Sequence, residues 1–308
     1  MSAAAGQQRL LGVAAIVAAS VLWGTTGVSA TFAPDVGAMA IGAAAMGVGG
    51  LLQAGLAVRP VARSLSALRQ QWLWLLLGAL AVAVYPLAFY GSMRMAGVTV
   101  GTVVSIGSAP LLSALIEMLL DGLRVSLRWA AGAGLGLLGM ALLTLAEGGS
   151  HGSAAPPPDM LAGVLLGLLA GLTYAFYSWA ARRLMQRQVP ARAAMGAMFG
   201  LGGLLLMPVL FATGAPFLAA WNNAAVGIYM ALVPMFLGYL CFGYGLARVQ
   251  ASMATTITLL EPVVAAALAG LIVGERLPAW GWVGVGLIFA CLVCVTLPVR
   301  RGGRGAAA

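Results

Sequence analysis

The chain has 308 residues, of which 62% are hydrophobic and only 7% are charged. Soluble proteins carry about 25% charged residues, so most of this chain cannot face water. The net charge of +9 comes entirely from arginine, and the arginines cluster at the ends of long apolar runs. That distribution fits lipid headgroups and membrane topology, and it argues against a nucleic-acid partner.

Ten apolar runs are each long enough to cross a bilayer as a helix, which needs about 20 residues. They predict an all-α integral membrane protein with ten transmembrane helices. The first run is not followed by a small-residue cleavage site, so it is predicted to be a retained helix. In chain order the runs are 10–30, 36–57, 72–94, 98–120, 128–146, 160–182, 192–213, 222–246, 250–272 and 280–298.

The arginines also predict the orientation of the chain, because cytoplasmic loops carry an excess of positive charge. With a cytoplasmic N-terminus, 14 of the 16 arginines lie inside, and only Arg94 and Arg276 lie outside. Both termini are therefore predicted to be cytoplasmic, in a bacterial-type inner (plasma) membrane. The inside arginines are Arg9, Arg59, Arg63, Arg69, Arg124, Arg128, Arg182, Arg183, Arg187, Arg192, Arg248, Arg300, Arg301 and Arg304.

The polar, proline-rich segment 150–159 is predicted to be an external linker between two halves, because its prolines cannot continue a helix. The halves, 9–149 and 160–299, contain five predicted helices each. Since five is odd, the second half is predicted to be inverted in the membrane relative to the first.

The two halves also match each other in sequence. An offset of 152 residues places Pro110 on Pro262, and an offset of 151 places Trp23 on Tyr174. Inverted repeats with interrupted helices at matching positions are typical of alternating-access transporters. Trp23 and Tyr174 are therefore predicted to face each other across a central pathway.

Glu261 and Pro262 lie near the middle of the ninth apolar run. A charge at this depth normally faces a partner or a watery cavity, and proline loosens the helix there. In one interpretation Glu261 lines the cavity and either holds a proton or positions a substrate ammonium. In the other it is a buried carboxyl, hydrogen-bonded to a neighbouring helix, that fixes packing.

Pro110 and Pro262 are predicted to free backbone carbonyls near the midplane, and such carbonyls accept hydrogen bonds from ammonium groups. Ser108 shortly precedes Pro110 and is a further candidate for substrate contact. The alternative is that the prolines only kink their helices and that nearby hydroxyls satisfy the freed backbone groups.

Several aromatic side chains lie deep inside their runs rather than at the ends. Buried phenols need a hydrogen-bond partner, which a polar cavity supplies, and aromatic faces attract an ammonium by cation–π interaction. Core packing is the alternative role for each of them. The candidates are Trp23, Tyr85, Tyr90, Tyr174 and Tyr239.

Glu117 also lies in an apolar run, about one turn from the cytoplasmic end of the fourth helix. It is predicted to be structural, reaching headgroups or pairing with Arg124 or Arg128. An enzyme is not expected, because the single histidine is in a loop and no predicted apolar run contains an acidic pair. No cofactor or metal is predicted.

Three motifs carry a resemblance to a known family: Trp23-Gly24, Leu260-Glu261-Pro262-Val263 and Gly274-Glu275-Arg276-Leu277. They resemble the EamA family of the drug/metabolite transporter superfamily. The resemblance implies ten helices in two five-helix repeats and the export of amino acids, other metabolites or drugs. The general character of the chain most resembles YddG-type exporters of aromatic and other neutral amino acids. The first half departs from the motif, since Ser108-Ala109-Pro110 stands where Leu-Glu-Pro is expected.

The predicted function is a secondary transporter that exports aromatic and other neutral amino acids, or similar small metabolites, by alternating access through a central cavity. The alternatives are a drug or other-metabolite exporter of the same family, and a channel or non-transporting membrane receptor. The expected partners are a small-molecule substrate, membrane lipid and, if Glu261 titrates, protons. A monomer is expected, because ten helices can enclose a pathway alone.

Overall fold

A computed structural model of the protein describes residues 3–148, 159–273 and 278–297. Most of the predicted linker 150–159 and the whole Gly274–Leu277 motif lie outside these ranges. Within them the chain is helical and contains no strand. Ten long helices account for nearly all of it: α1 Ala3–Gly24, α2 Ala38–Arg63, α3 Trp72–Ala96, α4 Val98–Asp121, α5 Leu127–Gly148, α6 Met160–Gln186, α7 Ala191–Thr213, α8 Trp221–Leu246, α9 Ala251–Ile272 and α10 Ala279–Thr296.

The prediction of an all-α, ten-helix membrane fold is confirmed. In the described part of the chain, nine helices are long and apolar enough to cross a bilayer, and α5 contains a further apolar segment over Leu127–Leu143. Short helices connect the long ones, as Thr26–Thr31 does after α1 and Leu65–Gln70 does between α2 and α3. The helices are apolar around most of their circumference, as expected where one side packs inside the bundle and the other faces lipid.

The halves pack reciprocally: three helices contact their own counterparts, and the other two contact each other's counterparts. Helix α2 packs along α7, α4 along α9, and α5 along α10, while α3 packs on α6 and α1 on α8. Such pairing is what a two-fold axis in the membrane plane generates. Glycines allow the closest approaches: a Cβ on Gly203 would lie 2.6 Å from the carbonyl oxygen of Gly47.

The α5–α10 contact gives a direct test of this packing. A Cβ on Gly139 would lie 2.6 Å from the carbonyl oxygen of Gly284, whereas a Cβ on Gly134 would meet nothing within 4 Å. We expect Gly139→Ala to lower the free energy of unfolding by about 1–3 kcal/mol, because the two backbones must separate. Gly134→Ala is the matched control and should leave stability unchanged or raise it, since alanine favours a helix. Thermal unfolding in detergent measures the stability of both variants. Equal unfolding midpoints for Gly139→Ala and Gly134→Ala would contradict the close contact.

Interrupted helices at matching positions in the two halves are not what the structure shows. Helix α9 is interrupted by a 3₁₀ turn over Thr258–Leu260, directly before Glu261 and Pro262. Helix α4 instead runs as one α-helix through Pro110. A single missing backbone hydrogen bond is tolerated where neighbouring helices pack along the whole segment, as α6 and α9 do along α4.

Helix α8 is also irregular, at a π turn over Ala231–Leu237 that contains Pro234. Proline removes a backbone donor, and a widened turn leaves carbonyl groups available to other helices. The carbonyl oxygen of Pro234 accepts a hydrogen bond from Trp23 Nε1 at 2.9 Å. Both irregular helices therefore belong to the second half, and both contribute to the centre of the bundle.

Candidate functional site

A cavity of about 40 Å³ lies at the centre of the bundle, enclosed by α1, α2, α3, α6, α8 and α9. Its lining is aromatic and apolar, with one carboxylate and no basic side chain among the described residues. The cavity extends from the middle of the bundle toward the end opposite the arginine clusters. It is lined by Trp23, Thr26, Gly42, Ala45, Met46, Tyr85, Pro86, Phe89, Tyr90, Tyr174, Met235, Tyr239 and Glu261.

Trp23 forms a fixed wall of this cavity. Its indole N–H is held by Pro234, and only 5% of the residue is exposed. The ring centroid lies 4.7 Å from that of Tyr239 and 6.4 Å, edge-on, from that of Tyr174. A Cβ on Gly238 would come within 2.7 Å of Trp23 Nε1, so glycine provides the space for the indole. The structure thus brings the repeat-related pair Trp23 and Tyr174 together.

Hydrogen bonds join two buried phenols of α6, Tyr174 and Tyr177, to α9 and to α8. The Tyr174 hydroxyl bonds Thr258 Oγ1 at 2.9 Å, and Thr258 Oγ1 donates to the Thr255 carbonyl at 2.9 Å. The Tyr239 hydroxyl bonds the hydroxyl of Tyr177 at 2.7 Å. Both interactions fix ring orientation beneath the cavity. Tyr177 was not among the predicted site residues, because burial of a phenol cannot be distinguished from cavity lining in sequence.

Tyr85 and Tyr90 form the opposite wall, on α3, and are only partly buried. Neither hydroxyl makes a hydrogen bond within the described part of the chain. Tyr85 stacks on Phe89 with ring centroids 5.7 Å apart, and it lies 5.6 Å from the ring of Tyr174. These two hydroxyls therefore retain full hydrogen-bonding capacity toward the cavity.

Glu261 is the carboxylate of the cavity. It begins the helical segment Glu261–Leu268, directly after the 3₁₀ turn, and its side chain is half-buried. Over the residues described, it makes no hydrogen bond and no ion pair. A packing role through a bond to a neighbouring helix is therefore not what the structure shows. A carboxylate surrounded by aromatic faces is suited to an ammonium group or a proton.

Three predicted site residues lie away from the cavity. Pro110 and Pro262 are buried between helices and do not line it. Ser108 Oγ donates to the Ser105 carbonyl at 3.4 Å and packs against Gly171 of α6. Their helices pass the centre of the bundle, but one residue along a helix turns a side chain by about 100°. Pro262 is thus turned away although its neighbour Glu261 faces inward.

Glu117 joins α4 to the start of α9 at the arginine-rich end of the bundle. Its Oε1 accepts a hydrogen bond from the Ala251 N–H at 2.8 Å, and its Oε2 accepts one from the Ser252 N–H at 3.3 Å. Only 3% of Glu117 is exposed. The predicted partners, lipid headgroups or Arg124 or Arg128, were wrong. The carboxylate caps a helix, since the N-terminus of α9 offers unpaired N–H groups and the positive end of its dipole.

Asp121, one turn further along α4, extends this connection to α6. Its Oδ1 lies 2.9 Å from Nη1 of Arg183, and its Oδ2 accepts a hydrogen bond from Trp179 Nε1 at 2.7 Å. Arg182 donates to the carbonyls of Leu246 and Val249, at the end of α8 and just beyond it. The ends of α4, α6, α8 and α9 are thereby tied together below the cavity. We call this set of residues, with Glu117, the inner network.

Comparison with known proteins agrees with this architecture. Residues 10–145 and 161–297 each match the EamA-like transporter family. A chain in a solved crystal structure superposes with a TM-score of 0.74 at 22% identity, covering 94% of this chain and 96% of that one. That likeness shows the fold alone.

Curated relatives resemble the chain over most of its length. An uncharacterized transporter, YwfM, of Bacillus subtilis (strain 168) is 29% identical, over 93% of this chain and 94% of its own. A probable terminal-alkyne amino-acid exporter of Streptantibioticus cattleyicolor is 26% identical, over 91% and 95%. The threonine/homoserine exporter RhtA of Escherichia coli (strain K12) is 28% identical, over 70% and 72%. With two matches that together span most of its residues, the chain belongs to the EamA-like transporter family and is a multi-pass membrane transporter.

Proposed function

We propose that this transporter exports amino acids, aromatic and other neutral ones, or similar small metabolites that carry an ammonium group. The observation that carries the proposal is the half-buried Glu261 carboxylate, which has no partner among the described residues, in a cavity walled by Trp23, Tyr85 and Tyr174. A carboxylate and aromatic faces are the groups that recognise a cationic nitrogen. Two relatives are named as exporters of amino acids, which supports the same substrate class.

We further propose that transport proceeds by alternating access, with the repeats 9–149 and 160–299 moving against each other. The described cavity of about 40 Å³ holds only a few water molecules, so a substrate enters only when the helices separate. The inner network closes the arginine-rich end, which is cytoplasmic if both termini are cytoplasmic. Loading from the cytoplasm therefore requires the inner network to break. No second chain is needed to complete the cavity, and we propose a monomer.

Counterflow in proteoliposomes tests the substrate class. Vesicles that contain the purified protein are preloaded with single unlabelled amino acids and then exposed to labelled phenylalanine. We expect uptake above that of protein-free vesicles, with neutral and aromatic amino acids giving the strongest exchange. Lack of exchange with every amino acid, together with exchange of cationic drugs, would overturn the substrate assignment in favour of drug export. Flux without saturation or counterflow would indicate a channel.

A further inference from the structure

A larger concavity lies on the outside of the bundle, at the arginine-rich end and away from the central cavity. It is a groove of about 550 Å³ between α2, the short helix Leu65–Gln70, α3 and α7. Its rim consists of exposed apolar side chains: Val58 is 62% exposed, Trp72 59% and Leu76 48%. We call it the α2–α7 groove.

The groove follows from how α2 and α3 are joined. Helix α2 continues to Arg63, and the short helix then separates its end from the start of α3 at Trp72. Helix α7 closes the gap with small residues, Gly196, Ala197 and Gly200, which leave depth that larger side chains would fill. The base of the groove is tightly packed, because α7 lies so close to α2 that a Cβ on Gly200 would come within 2.5 Å of the Cβ of Ala54. The groove is thus a fixed shape rather than a loosely packed surface.

One charged side chain lies in the otherwise apolar lining of the groove. Among its lining residues Arg69 is the only charged one. Arg69 is exposed and has no hydrogen bond or ion pair within the described ranges, and the same holds for Arg59 and Arg63 at the end of α2. A guanidinium that has no protein partner can donate two parallel hydrogen bonds to two oxygens of one phosphate. Basic pockets between transmembrane helices bind anionic lipid headgroups.

We propose that the α2–α7 groove is a binding site for one anionic phospholipid, with an acyl chain in the groove and its phosphate on Arg69. The apolar walls alone would accept any hydrocarbon, including a helix of a second copy of the chain. The unpaired arginines favour a negatively charged occupant, and another copy would bring its own like-charged arginines to the same end of the bundle. Charge complementarity therefore selects a lipid over self-association.

Native mass spectrometry of the detergent-solubilised protein tests the site with phosphatidylglycerol and phosphatidylcholine as probes. We expect one phosphatidylglycerol to be retained preferentially. Arg69→Gln should weaken that retention about fivefold, the effect of one guanidinium near an anionic headgroup, and leave phosphatidylcholine unchanged. Arg124→Gln is the matched control, because Arg124 is exposed at the same end of the bundle but does not line the groove.

A second variant tests the contribution of the apolar groove separately from that of the Arg69 charge. Ala62 lines the groove and is exposed, so Ala62→Trp fills it without disturbing the interior of the bundle. It should abolish retention of both lipids at this site. Equal retention of the two lipids by the unmodified protein, or equal loss in Arg69→Gln and Arg124→Gln, would overturn the proposal. So would a dimer that Ala62→Trp converts to a monomer, or Arg69-dependent retention of inorganic phosphate in place of the lipid.

Discussion

Glu261→Gln is expected to abolish transport driven by a pH gradient, and to spare substrate exchange if Glu261 carries the proton rather than binding the substrate ammonium. Glutamine has nearly the shape of glutamate but cannot release a proton, so a carrier that exchanges protons for substrate at this position loses its coupling. The substitution breaks no contact, because the Glu261 carboxylate has no hydrogen-bond partner in the described residues. We expect thermal stability to be unchanged or higher, since a half-buried carboxyl group is replaced by an uncharged amide of nearly the same shape.

The measurement compares two assays on the same proteoliposomes: uptake driven by an imposed pH gradient, and counterflow without one. Asp35→Asn is the matched control, because Asp35 is an exposed carboxylate outside the cavity. Unchanged pH-driven flux in Glu261→Gln would exclude this residue as the proton carrier. Loss of both activities would instead assign the carboxylate to substrate ammonium binding.

Glu117→Ala is expected to open the arginine-rich end of the bundle. The carboxylate accepts two hydrogen bonds from the first turn of α9, and hydrogen bonds to a charged group contribute about 1.5–3 kcal/mol each to stability where they are buried. The alanine variant leaves both N–H groups without this acceptor, so α4 and α9 separate more easily. A fall of about 2 kcal/mol in the free energy of closure raises the open population more than tenfold.

Cysteine labelling measures this opening. In a background without Cys241, Cys291 and Cys294, Thr256→Cys places a thiol at a position that is fully buried on α9. We expect labelling by a polar maleimide from the arginine-rich side to be slow, and more than tenfold faster after Glu117→Ala. Glu117→Gln keeps one acceptor oxygen and should have a smaller effect, and Asp35→Ala at the opposite end should have none. Equal labelling rates in Glu117→Ala and its parent would show that the cap does not hold this end closed.

The sequence predicts the global features of this fold well because they depend on composition and periodicity. Apolar runs and arginine positions indicate the ten helices, and the offset between the halves pairs Trp23 with Tyr174, whose rings meet at 6.4 Å. These properties can be read from a single helix or from the internal repeat, without knowing which helices pack together. The aromatic character of the cavity follows from the same repeat.

What the sequence does not reveal depends on which helix ends meet in space. Glu117 lies 134 residues from Ala251, so its role as a cap is invisible until α4 and α9 are packed together. Trp179 was overlooked for the same reason, because its hydrogen bond to Asp121 joins two different halves. The expectation of matching helix interruptions at Pro110 and Pro262 failed because packing, rather than proline alone, decides whether a helix stays regular.

The Glu117 cap also makes the two halves unequal. A carrier assembled from two identical inverted halves would have the same energy whether it opened to one side of the membrane or to the other. At the offset that aligns the prolines, the position equivalent to Glu117 is Ala269, which has no side-chain acceptor. If transport proceeds by alternating access, we therefore expect the resting protein to favour one side of the membrane, and substitution of Glu117 to shift that preference without altering the cavity.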